Sequence, residues 1–334
     1  MNSRTTLRSR AVVVGFVVGV PVSALFLWLA VRDADLDEVW SVLASSDPGL
    51  VALAVAAIAG VYVGQAVRWR AIARSRNLST ARFVEMVVSG VAVNNVLPGR
   101  VGDLLRARWL QVSGRMRAGR ALATVFVDRA FDVVALVVFL AVSLPFVTSA
   151  EWLLRIAIGG LLLLVAVVLV LAGARIYTGR RSRERRSHRS LLRRIARDAL
   201  EGLADPIGRT RAAGLVGVSL ATWLVWATAA WLVARSLGID LSPLEAIFVA
   251  GVINLGVAIP SSPGFIGTYQ WLGVSSLALF DVGTDDALAF AILLQAVWYV
   301  PTLVVGGTLL LRRAVGTVRA TPLRVVERGE VPDA

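Results

Sequence analysis

The segment Val93-Asn94-Asn95-Val96-Leu97-Pro98-Gly99-Arg100-Val101-Gly102-Asp103-Leu104-Leu105-Arg106 interrupts an apolar run with two amides, a proline, two glycines, an acid and two arginines. In hydrocarbon every backbone polar group must be satisfied internally, so such an interruption survives only where it lines a cavity or packs against protein. It therefore demands a frame around it. The rest of the chain supplies the material. It is 57% hydrophobic with a mean hydropathy of +0.74 over 334 residues. Several runs approach the roughly 20 residues that a spanning helix requires. The expected class is an all-α polytopic membrane protein.

All 35 basic residues are arginine and the net charge is +13. In a soluble protein that balance suggests nucleic acid; in a membrane protein it marks cytoplasmic loops, and no nucleic-acid partner is expected. The chain has no cysteine, and its single histidine, His188, lies in a run of arginines. Disulfides, thiolate sites and the usual transition-metal ligand sets are thereby excluded, so neither metal nor cofactor is expected.

Loop charges order the spans. After residues 1–10, a first helix is read over 11–31, followed by an acidic loop with Asp33, Asp35, Asp37, Glu38 and Asp47. A second helix over 50–67 leads to Arg68, Arg70, Arg74, Arg76 and Arg82, taken as an inside loop. The broken segment 83–110 starts and ends inside. Its rising limb, 83–97, would extend about 22 Å if helical, and its short polar falling limb favours a re-entrant hairpin over two spans. Helices follow over 121–146 and 152–172. The segment 175–211 is the most arginine-rich and is read as cytoplasmic, with an amphipathic stretch at 191–203. A helix over 212–233 returns outside, a second broken hairpin occupies 243–280, and a last helix, 287–311, contains Pro301 and returns to Arg312 and Arg313. Residues 315–334 form a polar cytoplasmic tail. Six spans and two broken hairpins thus divide into a first membrane repeat, 11–146, and a second, 147–314.

The two hairpins match each other. Glu85, Asn94, Pro98 and Gly102 are answered by Glu245, Asn254, Pro260 and Gly267 at an offset of about 160 residues. Each half crosses three times, so the second is inverted relative to the first. Interrupted helices at matching positions of inverted repeats point to a transport site at mid-bilayer.

A broken helix frees backbone N–H groups at one new end and carbonyls at the other, and the N-terminal end favours anions. In the first hairpin Arg100 and Arg106, with Asp103 and the close-approach Gly102, suit a phosphate. In the second, Pro260, Ser261, Ser262, Pro263, Gly264, Gly267, Thr268 and Gln270 combine small residues, hydroxyls and an amide. Asn94, Asn95 and Asn254 either satisfy freed backbone groups or meet the ligand. A third feature, Asp128-Arg129-Ala130-Phe131-Asp132, lies about 12 Å along its helix from Arg120, with both acids on one face. Asp128, Arg129 and Asp132 are read as a charge lock to an arginine of the hairpin, such as Arg100 or Arg106, or as a gate. No nucleophile elbow, zinc motif or nucleotide loop is visible, so a transporter and not an enzyme is expected.

These motifs together, spread over residues 10–315, resemble the lysylphosphatidylglycerol synthase transmembrane-region family, a flippase-like integral membrane group also called uncharacterised protein family 0104. The resemblance rests on N-N-V-L-P-G-R-V-G-D-L-L-R from Asn94, on Asp128-Arg129 with Asp132, and on P-S-S-P-G-F-I-G-T-Y-Q from Pro260. Family members usually carry Glu where this chain has Asp103 and Asp128, and a Glu near Gln270. The resemblance implies a lipid translocase moving a phospholipid, an aminoacylated phospholipid or a polyprenyl-linked headgroup between leaflets of the cell membrane. Because the family's soluble aminoacyl-transferase domain has no counterpart here, a stand-alone translocase is expected, with both termini cytoplasmic. The alternative is a non-catalytic scaffold for a lipid- or glycan-modifying enzyme. A homo-oligomer or such an enzyme would then be the protein partner.

Overall fold

The computed structural model describes residues 21–97, 100–143, 191–204, 208–257 and 262–319, with isolated helical positions between 158 and 174. Residues 11–20 of the first helix, most of the expected helix at 152–172, His188, residues 320–334 of the polar tail, and Pro98, Pro260 and Ser261 lie outside these described residues, while 315–319 are helical. Helices and connecting loops account for everything described.

Eleven helices are named here in chain order: α1 Pro21–Val31, α2 Leu36–Ala44, α3 Pro48–Ala73, α4 Thr80–Val96, α5 Val101–Ser113, α6 Ala118–Ser143, α7 Leu191–Ala204, α8 Arg209–Ser236, α9 Pro243–Gly256, α10 Thr268–Leu277 and α11 Thr284–Arg319. Short 3₁₀ turns at Pro263–Phe265 and Ala278–Phe280 flank α10. Local chemistry sets the starts. Asp47 caps α3 by accepting from the backbone N–H of Gly49 at 2.7 Å, with Pro48 in the first turn. Ser242 and Glu245 form a reciprocal capping box on α9, again ahead of Pro243. A cap of this kind is worth about 1 kcal/mol.

Among the described residues, three helices are long and apolar enough to cross a bilayer: α3, α8 and residues Thr284–Ala314 of α11. Their outward side chains, such as Leu53, Val63, Leu224, Val304 and Leu311, are exposed hydrophobics, as expected where lipid is the solvent. Pro301 does not end α11. α6 is as long as α3, but Asp128, Arg129 and Asp132 interrupt its apolar pattern.

Lipid tails are as apolar as leucine, so helices in a membrane associate through close packing and polar contacts. α3 meets α8 where Gly64 faces Thr222; a Cβ at Gly64 would lie 2.3 Å from the threonine Oγ1. One core cluster joins α3, α6, α8, α9, α10 and α11 around Trp223, Trp226, Phe248, Tyr269 and Phe290. A second surrounds Trp69 and Phe83, whose rings meet edge-on at 4.9 Å, and joins α3, α4, α5 and α6.

The bundle ends differ in charge. At one end the Asp47 N–H donates to the Ser236 carbonyl at 2.9 Å, and the Asp35 N–H donates to the Asp285 carboxylate at 2.8 Å, gathering the acidic loops. At the other, Glu85 accepts from Arg82 and Arg313 at 2.7 and 2.9 Å, and Arg211 donates to the Ala71 carbonyl. The amphipathic α7 is docked there against α6: a Cβ at Gly119 would fall 2.2 Å from the Ile195 carbonyl oxygen.

The second helix corrects the sequence reading. α3 continues to Ala73, six residues beyond the expected end, and carries Arg68 and Arg70 within it. Arg68 is fully buried instead of lying in a loop.

Candidate functional site

Three helices deliver six charges to one place. Arg68 comes from α3, Asp103 and Arg106 from α5, and Asp128, Arg129 and Asp132 from α6. Arg68 bridges Asp128 at 2.8 Å and Asp132 at 2.7 Å. Arg106 reaches Asp128 at 3.1 Å and Asp103 at 3.5 Å. Arg129 closes the circuit to Asp103 at 2.9 Å and Asp132 at 3.1 Å. The Trp223 indole donates to Asp132 at 3.0 Å, and Arg68 also donates to Ser219 at 3.0 Å, which adds α8. The Arg106 guanidinium stacks 4.3 Å from the Trp69 ring centroid. A buried charge survives only if paired and hydrogen-bonded, and this circuit meets that condition with alternating signs.

The i, i+4 placement of Asp128 and Asp132 allows Arg68 to hold both, and the hairpin arginine that reaches Asp128 is Arg106. Arg100 is not part of the circuit. Side chains six positions apart on a helix diverge by about 240° at 100° per residue, so Arg100 and Arg106 cannot share a face. Arg106 is fully buried within the charge circuit and is not among the residues that line the cavity. Arg100 occupies the N-cap of α5 in the left-handed conformation, φ 54°.

The first break is closed by its own residues. The Asn94 carboxamide oxygen accepts from the Gly102 N–H at 2.7 Å, satisfying a donor freed at the start of α5. The Asn95 carbonyl accepts from the Tyr299 hydroxyl at 3.2 Å, tying the tip to α11. The second break touches it: a Cβ at Gly264 would lie 3.3 Å from that same Asn95 carbonyl oxygen.

The second break is held by amides. Gly267 adopts φ 90°, and its N–H donates to the Gln270 side chain at 2.7 Å. Gln270 donates to Gln295 of α11, which donates to the Gly264 carbonyl at 2.7 Å. The Ser262 N–H donates to the Ser23 hydroxyl of α1 at 2.7 Å. Asn254 donates to the Ala250 carbonyl of its own helix at 2.9 Å. Replacing Gln295 by leucine leaves the Gly264 carbonyl and a Gln270 N–H without partners. We expect a loss of about 1–3 kcal/mol, read as lower apparent thermal stability in detergent.

Both breaks face one cavity of about 640 Å³. Asn94, Asn95, Arg100 and Asp103 line it from the first hairpin, Arg129 and Asp132 from α6, and Asn254 and Phe265 from the second hairpin. Tyr62, Trp223, Trp226, Tyr269 and Trp298 complete an aromatic wall. Leu104 and Phe126 belong to the lining and remain exposed to the surroundings. Ser262, Pro263, Gly264, Gly267, Thr268 and Gln270 are not among its lining residues; the contacts of Ser262, Gly264, Gly267 and Gln270 brace the backbone. Arg68, Trp223 and Tyr62 were not singled out in the sequence. Among the described residues no group of three or more His, Cys, Asp or Glu could hold a metal ion.

Comparison with known proteins agrees with this membrane-embedded arrangement. A family model described as the lysylphosphatidylglycerol synthase TM region matches residues 12–306. Glycosyltransferase AglD of Haloferax volcanii is 28% identical over 88% of this chain, which spans about half that relative's length, 53%. A UPF0104 membrane protein of Methanocaldococcus jannaschii is 23% identical over 62% of this chain and 88% of its own. Another, from Pyrococcus horikoshii, is 23% identical over 46% of this chain and 47% of its own.

Proposed function

The chain belongs to the lysylphosphatidylglycerol synthase transmembrane-region family, and from that premise we propose that it is a lipid translocase of the cell membrane. A phospholipid or polyprenyl-linked headgroup enters the cavity between the two breaks while its acyl chains stay in the bilayer. Exposed Leu104 and Phe126 on the cavity lining suit that division, since they place apolar side chains where a lipid tail would leave. The observation that carries the proposal is the shared cavity: two interrupted helices, distant in sequence, open onto one largely apolar space that carries Asn94, Asn95, Arg100, Asp103, Arg129, Asp132 and Asn254. In this scheme six spans and two re-entrant hairpins form inverted halves, and the arginine-rich end and both termini are cytoplasmic. The protein performs no covalent chemistry. Its acids are held by arginines, which suits a lock that opens and recloses better than a general acid.

The similarity to about half of a glycosyltransferase favours one other reading, a membrane scaffold for a lipid- or glycan-modifying enzyme. Reconstitution separates the two. Vesicles containing the purified protein are expected to move a fluorescent headgroup-labelled phospholipid or polyprenyl phosphate between leaflets faster than empty vesicles, as read by dithionite quenching. Equal rates for every lipid offered would reject translocation and favour the scaffold.

A further inference from the structure

The charges around the cavity assign a sign to what it holds. Arg68, Arg100, Arg106 and Arg129 face Asp103, Asp128 and Asp132, so one positive charge is in excess. Every carboxylate is already engaged. Asp103 is held by Arg106 and Arg129, Asp128 by Arg68 and Arg106, and Asp132 by Arg68, Arg129 and the Trp223 indole. None is left for a cationic headgroup.

The excess charge is Arg100. It lines the cavity, and no ion pair or hydrogen bond reaches its guanidinium among the described residues. Its α5 N-cap position adds the positive end of a helix at the same point. A second, separate observation comes from α4. Asn95 is 2% exposed, lines the same cavity, and its amide nitrogen has no hydrogen-bond partner. An unmade bond of that kind at a buried donor is costly unless a ligand completes it. A fork of donors and an amide N–H, both lacking acceptors, match an anionic oxygen group.

We propose that the cargo headgroup is net anionic, a phosphate or phosphodiester with no compensating ammonium, whose oxygens meet Arg100 and the Asn95 amide. Aminoacylated, cationic headgroups are rejected by the same excess charge. This proposal rests on the translocase reading for its cargo, and the sign of the headgroup can be tested apart from movement.

Binding is measured by quenching of tryptophan fluorescence in detergent, since Trp223, Trp226 and Trp298 line the cavity. Movement is measured in vesicles. The probes are phosphatidylglycerol, a polyprenyl phosphate and lysylphosphatidylglycerol. At least one of the first two is expected to bind ~10-fold or more tighter than the third, a difference of about 1.4 kcal/mol. Which of those two is bound identifies the source of the phosphate. Arg100→Asn and Arg100→Asp suit the left-handed backbone and remove no ion pair. The first should erase the preference, and the second should reverse it toward lysylphosphatidylglycerol. Equal or tighter binding of the cationic lipid to the unmodified protein would overturn the proposal, as would a preference untouched in both variants. If the anionic preference is found without movement in vesicles, the sign stands and the translocase reading falls.

Discussion

Asp128→Asn is expected to destabilise the protein by about 3–5 kcal/mol, because it leaves the buried Arg106 guanidinium with one longer ion pair among the described residues. The substitution keeps the side chain's shape and removes only its charge. Arg68 retains Asp132 at 2.7 Å. Arg106 does not fare as well. It is fully buried, its Nε already lacks a hydrogen-bond partner, and its only other carboxylate among the described residues is Asp103 at 3.5 Å. The apparent melting temperature in detergent should fall by on the order of 5–10 °C. A double-mutant cycle isolates the cause. Arg106→Met fills similar volume against the Trp69 ring, so Arg106→Met with Asp128→Asn should be less destabilised than the sum of the singles by about 1–3 kcal/mol. Strict additivity would mean that the two groups are not coupled.

That circuit was half legible in the sequence. Asp128 and Asp132 announced themselves as acids one helical turn apart inside an apolar run, and Arg106 was one of the two arginines offered as partner. Arg68 was hidden by the rule that located the loops. Arginine counting assigns a cluster such as Arg68, Arg70, Arg74 and Arg76 to the cytoplasm as a block, yet the helix carries its first members inward before it ends at Ala73. One residue of a basic cluster can be buried and paired while its neighbours mark the boundary, and composition does not distinguish them. The amphipathic α7 shows the same blindness. Its periodicity was readable, but the small residues on α6 that seat it, Gly119 and Ala123, look like ordinary helix content until the two surfaces are opposed.

The breaks divided differently. Gly, Pro and amide residues located both interruptions correctly because few side chains tolerate such backbone at membrane depth. They did not reveal which groups serve the backbone and which face the cavity. At the second break Gln270 and the Gly264 carbonyl are joined through Gln295, a residue of α11 with no motif around it. Asn94 serves Gly102, while Asn95 next to it lines the cavity and its buried amide nitrogen has no hydrogen-bond partner among the described residues. Adjacent helical positions differ by about 100° in direction, so two identical side chains can have opposite duties.

Gly102 decides whether the first hairpin can close at all, and Gly102→Ala is expected to cost at least about 3 kcal/mol, beyond the usual range for one added methyl group in a core. Its importance is proximity, not conformational freedom. A Cβ there would lie 1.8 Å from the Gly90 carbonyl oxygen and 2.7 Å from the Asn94 carboxamide oxygen. The first is backbone and cannot rotate away, so α4 and α5 must separate. Separation would lengthen the 2.7 Å bond from the Gly102 N–H to Asn94 and shift Arg106 away from Asp128. Packing, break and charge circuit would thus fail together, and the variant should be recovered in low yield or melt well below the parent. Gly217→Ala supplies the control. It lies in α8 with open space where a Cβ would go, so alanine should be neutral or should stabilise by about 0.5–1 kcal/mol through helix propensity. Parental thermal stability and yield in Gly102→Ala would show that α4 and α5 do not cross as closely as described, and the cavity geometry at Arg100, two residues away, would have to be redrawn.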